Sequence, residues 1–408
     1  MNNPLLCIVG LGYVGLPLAH AFAKEGYAIA GYDVSEERVK ELKNGHDRTN
    51  ELTENTLRSV AIDFSTDPSI ISKADVVILA IPTPVDAKNR PDLTLLKGAT
   101  KTVGKYFKDG AIIVYESTVY PGVTEEICGP ILAKESKGKN FSLGYSPERV
   151  NPGDKEHTIE NIIKIVAGQD TKTLDSLAEL YGSIIKAGIH RAPSIKVAEM
   201  AKAIENAQRD LNIAYMNEIA KFCNRMGIST KDVLDAAKTK WNFLHFSPGL
   251  VGGHCIGVDP YYLLEKAEAL GGKMPIVSAA RKTNDKMPIF VWEQIIAALG
   301  KPKGKQVLVL GLTFKENVPD ARNSKSIQVI NLLRRSGCIV TTHDPYHQNH
   351  ALEGHFDAII LLVPHREYCT LSPSDFRNIA KETCLFYDLK SAFGKESLET
   401  AGFRYLSL

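Results

Sequence analysis

"LLCIVGLGYVGLPLAHAFAKEGYAIAGYD", Leu5 to Asp33, decides the fold. Leu5–Gly10 is a short continuous apolar run, the pattern of a strand buried on both faces. Gly10, Gly12 and Gly15 close that run and open a helical stretch from Leu16 to Lys24. A second strand, Tyr27–Val34, carries an acid near its end. Gly10 permits a tight turn, Gly12 lets a pyrophosphate approach the backbone, and Gly15 lets helix and strand pack closely. The amides of Tyr13 and Val14 face that pyrophosphate at the helix N-terminus. Asp33 lies 18 residues past Gly15, where a carboxylate holds ribose hydroxyls and repels a 2′-phosphate. NAD is therefore expected over NADP. Arg38, close by, is counted with the cofactor contacts and tempers that discrimination.

Working outward, Ala74–Pro84 and Gly110–Thr118 read as further buried strands with turn chemistry at their C-terminal ends. Ligands sit at such ends in parallel sheets, so Thr83 of "IPTP" and Thr118 of "EST" are candidate cofactor contacts. The texture changes near Pro193. From Ser194 to Met226 no proline or glycine occurs, and Val197, Ala201, Ile204, Ala207, Leu211, Ala214, Ile219 and Phe222 fit one helix face. Such a helix would span about 50 Å and suits a spine between domains or subunits. Lys202, Asn206 and Arg209 also fall on one face of it, with Asp210 beside them. Gly227 ends it, and "STKD" (Ser229–Asp232) caps the next helix.

"LGKPKGK" (Leu299–Lys305) is a linker, and beyond it the first part repeats faintly. "QVLVLG" echoes "LLCIVG", "VTTHDPY" echoes "IAGYDVS", and "DAIILLVP" echoes "DVVILAIP". The repeat's glycine loop is replaced by "GLTFKENVPDARNS" (Gly311–Ser324), so it is expected to bind something other than a dinucleotide. The fold class that follows is α/β: two Rossmann-like doubly wound parallel-sheet domains joined by a long central helix. The expected domains are 1–192 (NAD-binding), 193–300 (helical, dimerising and catalytic) and 301–408 (a second Rossmann-like domain).

The composition fits a soluble globular chain. Of 408 residues, 44% are hydrophobic and 24% charged, and the net charge of +2 gives no reason to expect nucleic acid or a membrane surface. The seven cysteines are scattered without a CxxC, which argues against disulfides and metal sites and for a reducing cytoplasm. The apolar N-terminus lacks a basic n-region and is broken by glycines, so it is not read as an export signal.

One cysteine stands apart. In "GGHCIGVDPYY" (Gly252–Tyr262), Cys255 follows two glycines, and turn chemistry around it starts a helix. A helix N-terminus lowers a thiol pKa, glycines allow close approach, and no apolar alternation surrounds the residue. The thiol is presented rather than buried. His254 adjoins it, but neighbouring side chains point apart, and His254 is read as structural.

These motifs occur in order over nearly the whole chain, with "YSPERVNPG", "KAIENAQRDLNIAYMNE" and "KWNFLHFSPGLVGGHCIGVDPYYL" among them. The sequence resembles the UDP-glucose/GDP-mannose dehydrogenase superfamily, and within it the UDP-N-acetylhexosamine 6-dehydrogenases. The resemblance implies an NAD domain, a helical dimerisation core and a C-terminal UDP-binding domain. It implies oxidation of a C6 alcohol to a carboxylate, with two NAD reduced per turnover, through a thiohemiacetal and a thioester on Cys255. It gives Lys202 the alcohol proton and the developing oxyanion, and gives Asn206 and Asp259 the water and oxyanion network. Glu148 becomes the base for thioester hydrolysis, with Thr118 within its reach. Arg149, Val150, Arg209 and Gly252, together with Glu148, Lys202 and Asn206, become substrate contacts. Lys315 and Arg322 become contacts to substrate and cofactor. The sequence departs from the UDP-glucose branch at Pro152, where that branch has a second glutamate. The departure agrees with an acetamido sugar.

The expected substrate is UDP-N-acetylglucosamine or UDP-N-acetylgalactosamine, the product serving surface polysaccharide, and the expected assembly is a homodimer. UDP-N-acetylmannosamine, UDP-glucose and GDP-mannose are the alternatives within the class. A single-step hydroxyacid dehydrogenase shares the NAD domain but needs no thiol, and a non-catalytic NAD-binding regulator needs neither Cys255, Lys202 nor Glu148.

Overall fold

The computed structural model describes residues 4–86, 88–150, 158–347 and 349–408. Asn151, Pro152 and Gly153, which end the "YSPERVNPG" motif, lie outside the described residues. The chain divides into two compact units: 1–205 with 261–272, and 206–260 with 273–408.

In the first unit the apolar runs form strands β1 (Leu6–Val9), β2 (Ile29–Tyr32), β3 (Ile62–Ser65), β4 (Val76–Leu79), β5 (Ala111–Tyr115), β6 (Phe141–Tyr145), β7 (Lys164–Gly168) and β8 (Ile189–Arg191). They make one sheet in the order β3-β2-β1-β4-β5-β6-β7-β8. All neighbours are parallel except β6 and β7. The strand order reverses between β1 and β4, so the loops after these two strands flank the crevice where such sheets take ligands. The helix Gly15–Lys24 buries Leu16, Leu18, Ala19 and Phe22 against Ile8, Ile29 and Ile78.

The second unit holds β9 (Gln306–Leu310), β10 (Ile339–His343), β11 (Phe356–Leu361), β12 (Ala380–Asp388) and β13 (Phe403–Ser407). Their order is β10-β9-β11-β12-β13, all parallel. This repeats the arrangement of β2-β1-β4-β5-β6. The repetition reaches single hydrogen bonds. Gly10 N donates to Tyr32 O at 2.9 Å and Gly311 N to His343 O at 3.0 Å. Leu11 N donates to Asp33 Oδ2 at 2.9 Å, and Leu312 N to Asp344 Oδ2 at 2.6 Å. In both halves an acid after the second strand clasps the turn after the first.

The halves differ at that acid. Asp33 is only partly covered, whereas Asp344 is fully buried. Asp344 also accepts from Thr313 N and Tyr346 N, and His365 Nε2 lies 3.2 Å from its Oδ2. Asn317 N donates to His365 Nδ1, so Nε2 carries the proton and donates. No oxygen of Asp344 is left facing solvent for a ribose. This is the physical reason the second half is not a second dinucleotide site.

The long helix spans Ile195–Met226, as the periodicity requires, but its buried face is not the apolar one expected. Val197, Ile204 and Phe222 are exposed, while Ala203, Asn206, Ala207, Asp210, Ala214, Asn217 and Ala220 are buried. Small side chains permit close packing, and the polar ones are paired. Within the second unit, Arg281 donates to Asp210. Asn284 Nδ2 donates to Asp210 Oδ1 at 2.7 Å, and Asn217 Nδ2 to Asn284 Oδ1 at 2.8 Å.

Asp344 offers a stability test. Burial pushes its carboxyl up, but His365 and the Leu312 and Tyr346 amides outweigh that and hold it at about 2. A depressed folded-state value contributes stability that is complete above the unfolded value of about 3.9 and lost as pH falls through 2. Asp344→Asn should cost about 2 kcal/mol at pH 7, and its deficit against the parent should shrink below pH 4 in thermal melts.

Candidate active site

The glycine turn is built for a dinucleotide. Gly10 has φ +92°, and a Cβ there would meet Ala80 O at 2.7 Å. A Cβ on Gly15 would overlap the Gly10 carbonyl oxygen, whereas one on Gly12 would meet nothing within 4 Å. Gly12 therefore answers to no neighbour in the protein, which leaves its bareness to a ligand. Val14 starts the helix without a capping side chain, so the first-turn amides suit an anion. Asp33 spends Oδ2 on Leu11 N and Oδ1 on Ser35 N, each at 2.9 Å. Each oxygen keeps a lone pair for a ribose hydroxyl. Arg38 is buried, with Nε donating to Leu11 O and one terminal nitrogen to Asp47, both at 2.8 Å. It braces the turn from beneath. These residues fit NAD.

Two further loops of the first unit are tied together. Thr83 Oγ1 donates to Thr118 O at 2.6 Å, Ile81 N to Ser117 Oγ at 3.1 Å, and Tyr262 OH to Thr83 O at 2.6 Å. Tyr262 is fully buried and was not singled out from sequence, although the paired tyrosines of "DPYY" marked it. Glu199, on the long helix, receives Gly122 N and Thr124 N at 2.5 and 2.9 Å. Burial pushes its carboxyl up to about 7.

Around Glu148 the first unit assembles a charged cluster. Oε1 of Glu148 accepts from Arg149 N at 2.6 Å and Val150 N at 2.5 Å. Its Oε2 lies 3.4 Å from Lys164 Nζ, which also reaches Glu116 Oε2 at 3.1 Å. Tyr181 OH donates to Glu116 Oε1 at 2.5 Å. Burial pushes the Glu148 carboxyl up, but Lys164, the two amides and Lys202 outweigh it and hold the group below its ordinary value. Lys202 is itself buried. The Arg149 guanidinium turns away to Glu205 and the Ile163 carbonyl. A lysine at the start of an otherwise apolar strand, β7, was the signal that sequence reading passed over.

In the second unit Cys255 is exposed, in a turn before the helix Asp259–Ala269. Its carbonyl accepts from Val258 N at 3.0 Å and Asp259 N at 2.8 Å, which anchors the backbone of this exposed residue. Asp259 is buried and accepts from Asn206 Nδ2 at 2.5 Å. The chain ahead of the turn is clasped by Asn217, which donates to Gly249 O at 3.0 Å and accepts from Gly249 N at 2.8 Å. The two glycines before His254 serve the protein's own packing. A Cβ at Gly252 would meet Asn323 O at 2.7 Å, and one at Gly253 the Phe314 ring at 2.8 Å. His254 Nε2 lies 3.2 Å from Asp320 Oδ2, and Arg322 pairs with the same carboxylate at 2.7 Å. His254 thus fastens the cysteine turn to the loop that carries Lys315 and Arg322. Burial and Arg322 push its imidazole below its ordinary value. Arg209 is exposed, apart from its buried neighbours Asn206 and Asp210.

Two largely parallel sheets with a dinucleotide turn in one, and an exposed cysteine elsewhere, define a nucleotide-dependent oxidoreductase. Comparison with known proteins carries this further. The NAD binding, central and UDP binding domains of the UDP-glucose/GDP-mannose dehydrogenase family match residues 5–185, 196–286 and 308–395. The chain belongs to that family and is an NAD-dependent dehydrogenase. It is 46% identical to "Protein CapL" of Staphylococcus aureus, over 98% of each chain. It is also 46% identical to a UDP-N-acetyl-D-glucosamine 6-dehydrogenase of Salmonella typhi, over 94% of this chain and 95% of the relative. The structure of a UDP-D-ManNAc dehydrogenase from Pyrococcus horikoshii superposes with a TM-score of 0.91 at 30% identity, covering 99% of this chain and 98% of that one. Among the described residues, no helix is long and apolar enough to cross a membrane.

The two glycines make a paired prediction. Gly15→Ala should melt well below the parent and lose NAD, because its methyl group collides with backbone. Gly12→Ala should melt like the parent yet bind NAD at least tenfold more weakly. Melting curves with and without NAD, beside a titration, check both.

Proposed function

We propose that this protein oxidises the C6 alcohol of a UDP-N-acetylhexosamine, UDP-N-acetylglucosamine or UDP-N-acetylgalactosamine, to the uronic acid in two steps, for surface polysaccharide. The observation that carries the reading is the exposed thiol of Cys255, anchored through its carbonyl at the start of a helix. A dehydrogenase that stopped at a carbonyl would need no such nucleophile. The choice of sugar is supported by the 46% identity to a relative named for UDP-N-acetyl-D-glucosamine, against 30% for the one named for UDP-D-ManNAc. The three matched segments support a division into an NAD domain, a central catalytic domain and a UDP-binding domain.

Two NAD molecules, bound in turn, would supply the hydride acceptor, one for each oxidation. Lys202 takes the alcohol proton as the first hydride leaves C6, with Thr118 beside the cofactor. The Cys255 thiolate then adds to the aldehyde carbon, and the carbonyl π pair becomes an alkoxide. Lys202 and Asn206 hold that charge, with Asp259 orienting Asn206. Loss of the second hydride leaves a thioester on Cys255. Glu148 draws a proton from water, the water oxygen attacks the acyl carbon, and the thiolate departs. Arg149, Val150, Arg209 and Gly252 contact the substrate, and Lys315 and Arg322 contact substrate and cofactor. The exposed apolar side chains Val197, Ile204, Tyr215, Phe222 and Met226 of the long helix support a homodimer, which light scattering at micromolar concentration would report and a monomer would refute.

The test is NADH formation across a panel of UDP-sugars, with two NADH expected per uronate and the N-acetylglucosamine or N-acetylgalactosamine sugar preferred. One NADH per sugar would make this a single-step dehydrogenase, and none with any sugar a non-catalytic NAD binder. Preference for the mannosamine sugar or UDP-glucose would move the assignment within the family. Cys255→Ser should bind NAD and UDP-sugar as the parent does, with kcat lower by orders of magnitude and KM little changed. Turnover near the parent level would rule the thiol out as nucleophile.

A further inference from the structure

Lys164 and Glu116 have no part in the chemistry above, yet both are buried charged groups. Burying charge is costly unless it is paired and hydrogen-bonded. Lys164 lies between two carboxylates, 3.1 Å from Glu116 and 3.4 Å from Glu148. Glu116 is held on its other oxygen by Tyr181 OH, and the Lys164 ammonium lies 5.5 Å from the centre of the Tyr181 ring. The chain Tyr181–Glu116–Lys164–Glu148 therefore runs from the interior of the first unit to the carboxylate assigned to water activation. Glu148 is fixed on one oxygen by the Arg149 and Val150 amides and on the other by Lys164, so both its direction and its charge depend on this chain.

We propose that Lys164 is a positioning residue for Glu148, keeping it an oriented, ionised base for thioester hydrolysis, with Glu116 limiting that pull by sharing the ammonium. The proposal rests on the reading of Glu148 as the hydrolytic base. The charged and titratable groups that act on Glu148 come from several elements. Lys164 is on β7, Glu116 follows β5, Tyr181 is on the helix Thr171–Gly182 and Lys202 is on the long helix. Glu51, in the segment between β2 and β3, feels Glu148 as a like charge. Lys164 and Lys202 favour the anion, while Glu116 and Glu51 oppose it. Removing Lys164 must raise the pH at which Glu148 gains a proton, and removing the charge of Glu116 must lower it.

The experiment follows uronate release after the NADH burst, in single turnovers with NAD and UDP-N-acetylglucosamine brought by a pH jump to final values from about pH 3 to 7, the range that brackets a carboxyl held below its ordinary value. A base must be ionised, so the rate falls on the acid side as Glu148 is protonated. Lys164→Met should move that acid limb up by about one pH unit, a tenfold loss at its foot. Lys164→Arg should restore it. Glu116→Gln keeps the shape and the Tyr181 contact and should move the limb the other way, to lower pH. These opposed shifts are not what loosened packing would give. If Lys164→Met does not fold, Glu116→Gln decides the matter. Acid limbs that superimpose on the parent's in Glu116→Gln and, where it folds, in Lys164→Met overturn the proposal. Glu148→Gln is run in parallel: it should give the burst and then stall. A stall there with unmoved limbs in the other variants removes only the role of Lys164, whereas normal release from Glu148→Gln removes the base assignment and this proposal with it.

Discussion

The costliest constraint in this structure is the burial of ionised side chains. Lys164, Glu116 and Lys202 are withdrawn from water in the first unit, with Glu148 partly so. A lone buried charge would shed or gain a proton. Here the Lys164 ammonium pairs with both carboxylates, and two backbone amides occupy Oε1 of Glu148, so that Oε2 keeps a lone pair. The arrangement holds only while β5, β7, the "SPER" segment and the long helix keep their places. The eight-stranded sheet with its buried apolar strands provides that rigidity. The second unit applies the same physics differently, with Asp210, Arg281, Asn284 and Asn217 neutralising or hydrogen-bonding one another along the helix face.

The internal repeat shows how one scaffold is directed to two uses. Each half clasps its first turn with an acid beyond its second strand. In the first half the turn is left bare at Gly12 and the acid stays partly covered, so a dinucleotide can enter. In the second, Thr313 and His365 fill the space over the acid. The loop so fixed carries Lys315 and Arg322 and is pinned to the cysteine turn through Asp320 and His254. A small change of side chains at the turn, with the topology kept, separates a cofactor site from a scaffold for other residues.

Much of this was legible in the sequence. Continuous apolar strands, the glycine spacing and Asp33 announce a parallel sheet with a dinucleotide turn, because these signals arise within a few residues of one another. The long helix was legible as a stretch without proline or glycine, and Cys255 as an exposed thiol from its glycine-rich setting. What escaped depends on partners distant in the chain. The buried stripe of the long helix is alanine, asparagine and aspartate, and only the pairing of Asp210 with Arg281 and of Asn217 with Asn284 makes it a core face. Lys164 read as one polar residue in an apolar strand until Glu116 and Glu148 were seen beside it. Gly252 and Gly253 read as allowing close approach of a ligand; that Asn323 and Phe314 also crowd the space where their side chains would be depends on residues distant in the chain.

The account's central claim is that oxidation passes through a covalent acyl group on Cys255. The most direct measurement is rapid acid quench during the first turnover with UDP-N-acetylglucosamine and NAD, followed by mass spectrometry of the peptide bearing Cys255. The account predicts a mass increase equal to the uronyl nucleotide, removed by hydroxylamine, rising and falling with the NADH burst. A full burst with that peptide unmodified at every quench time would contradict it.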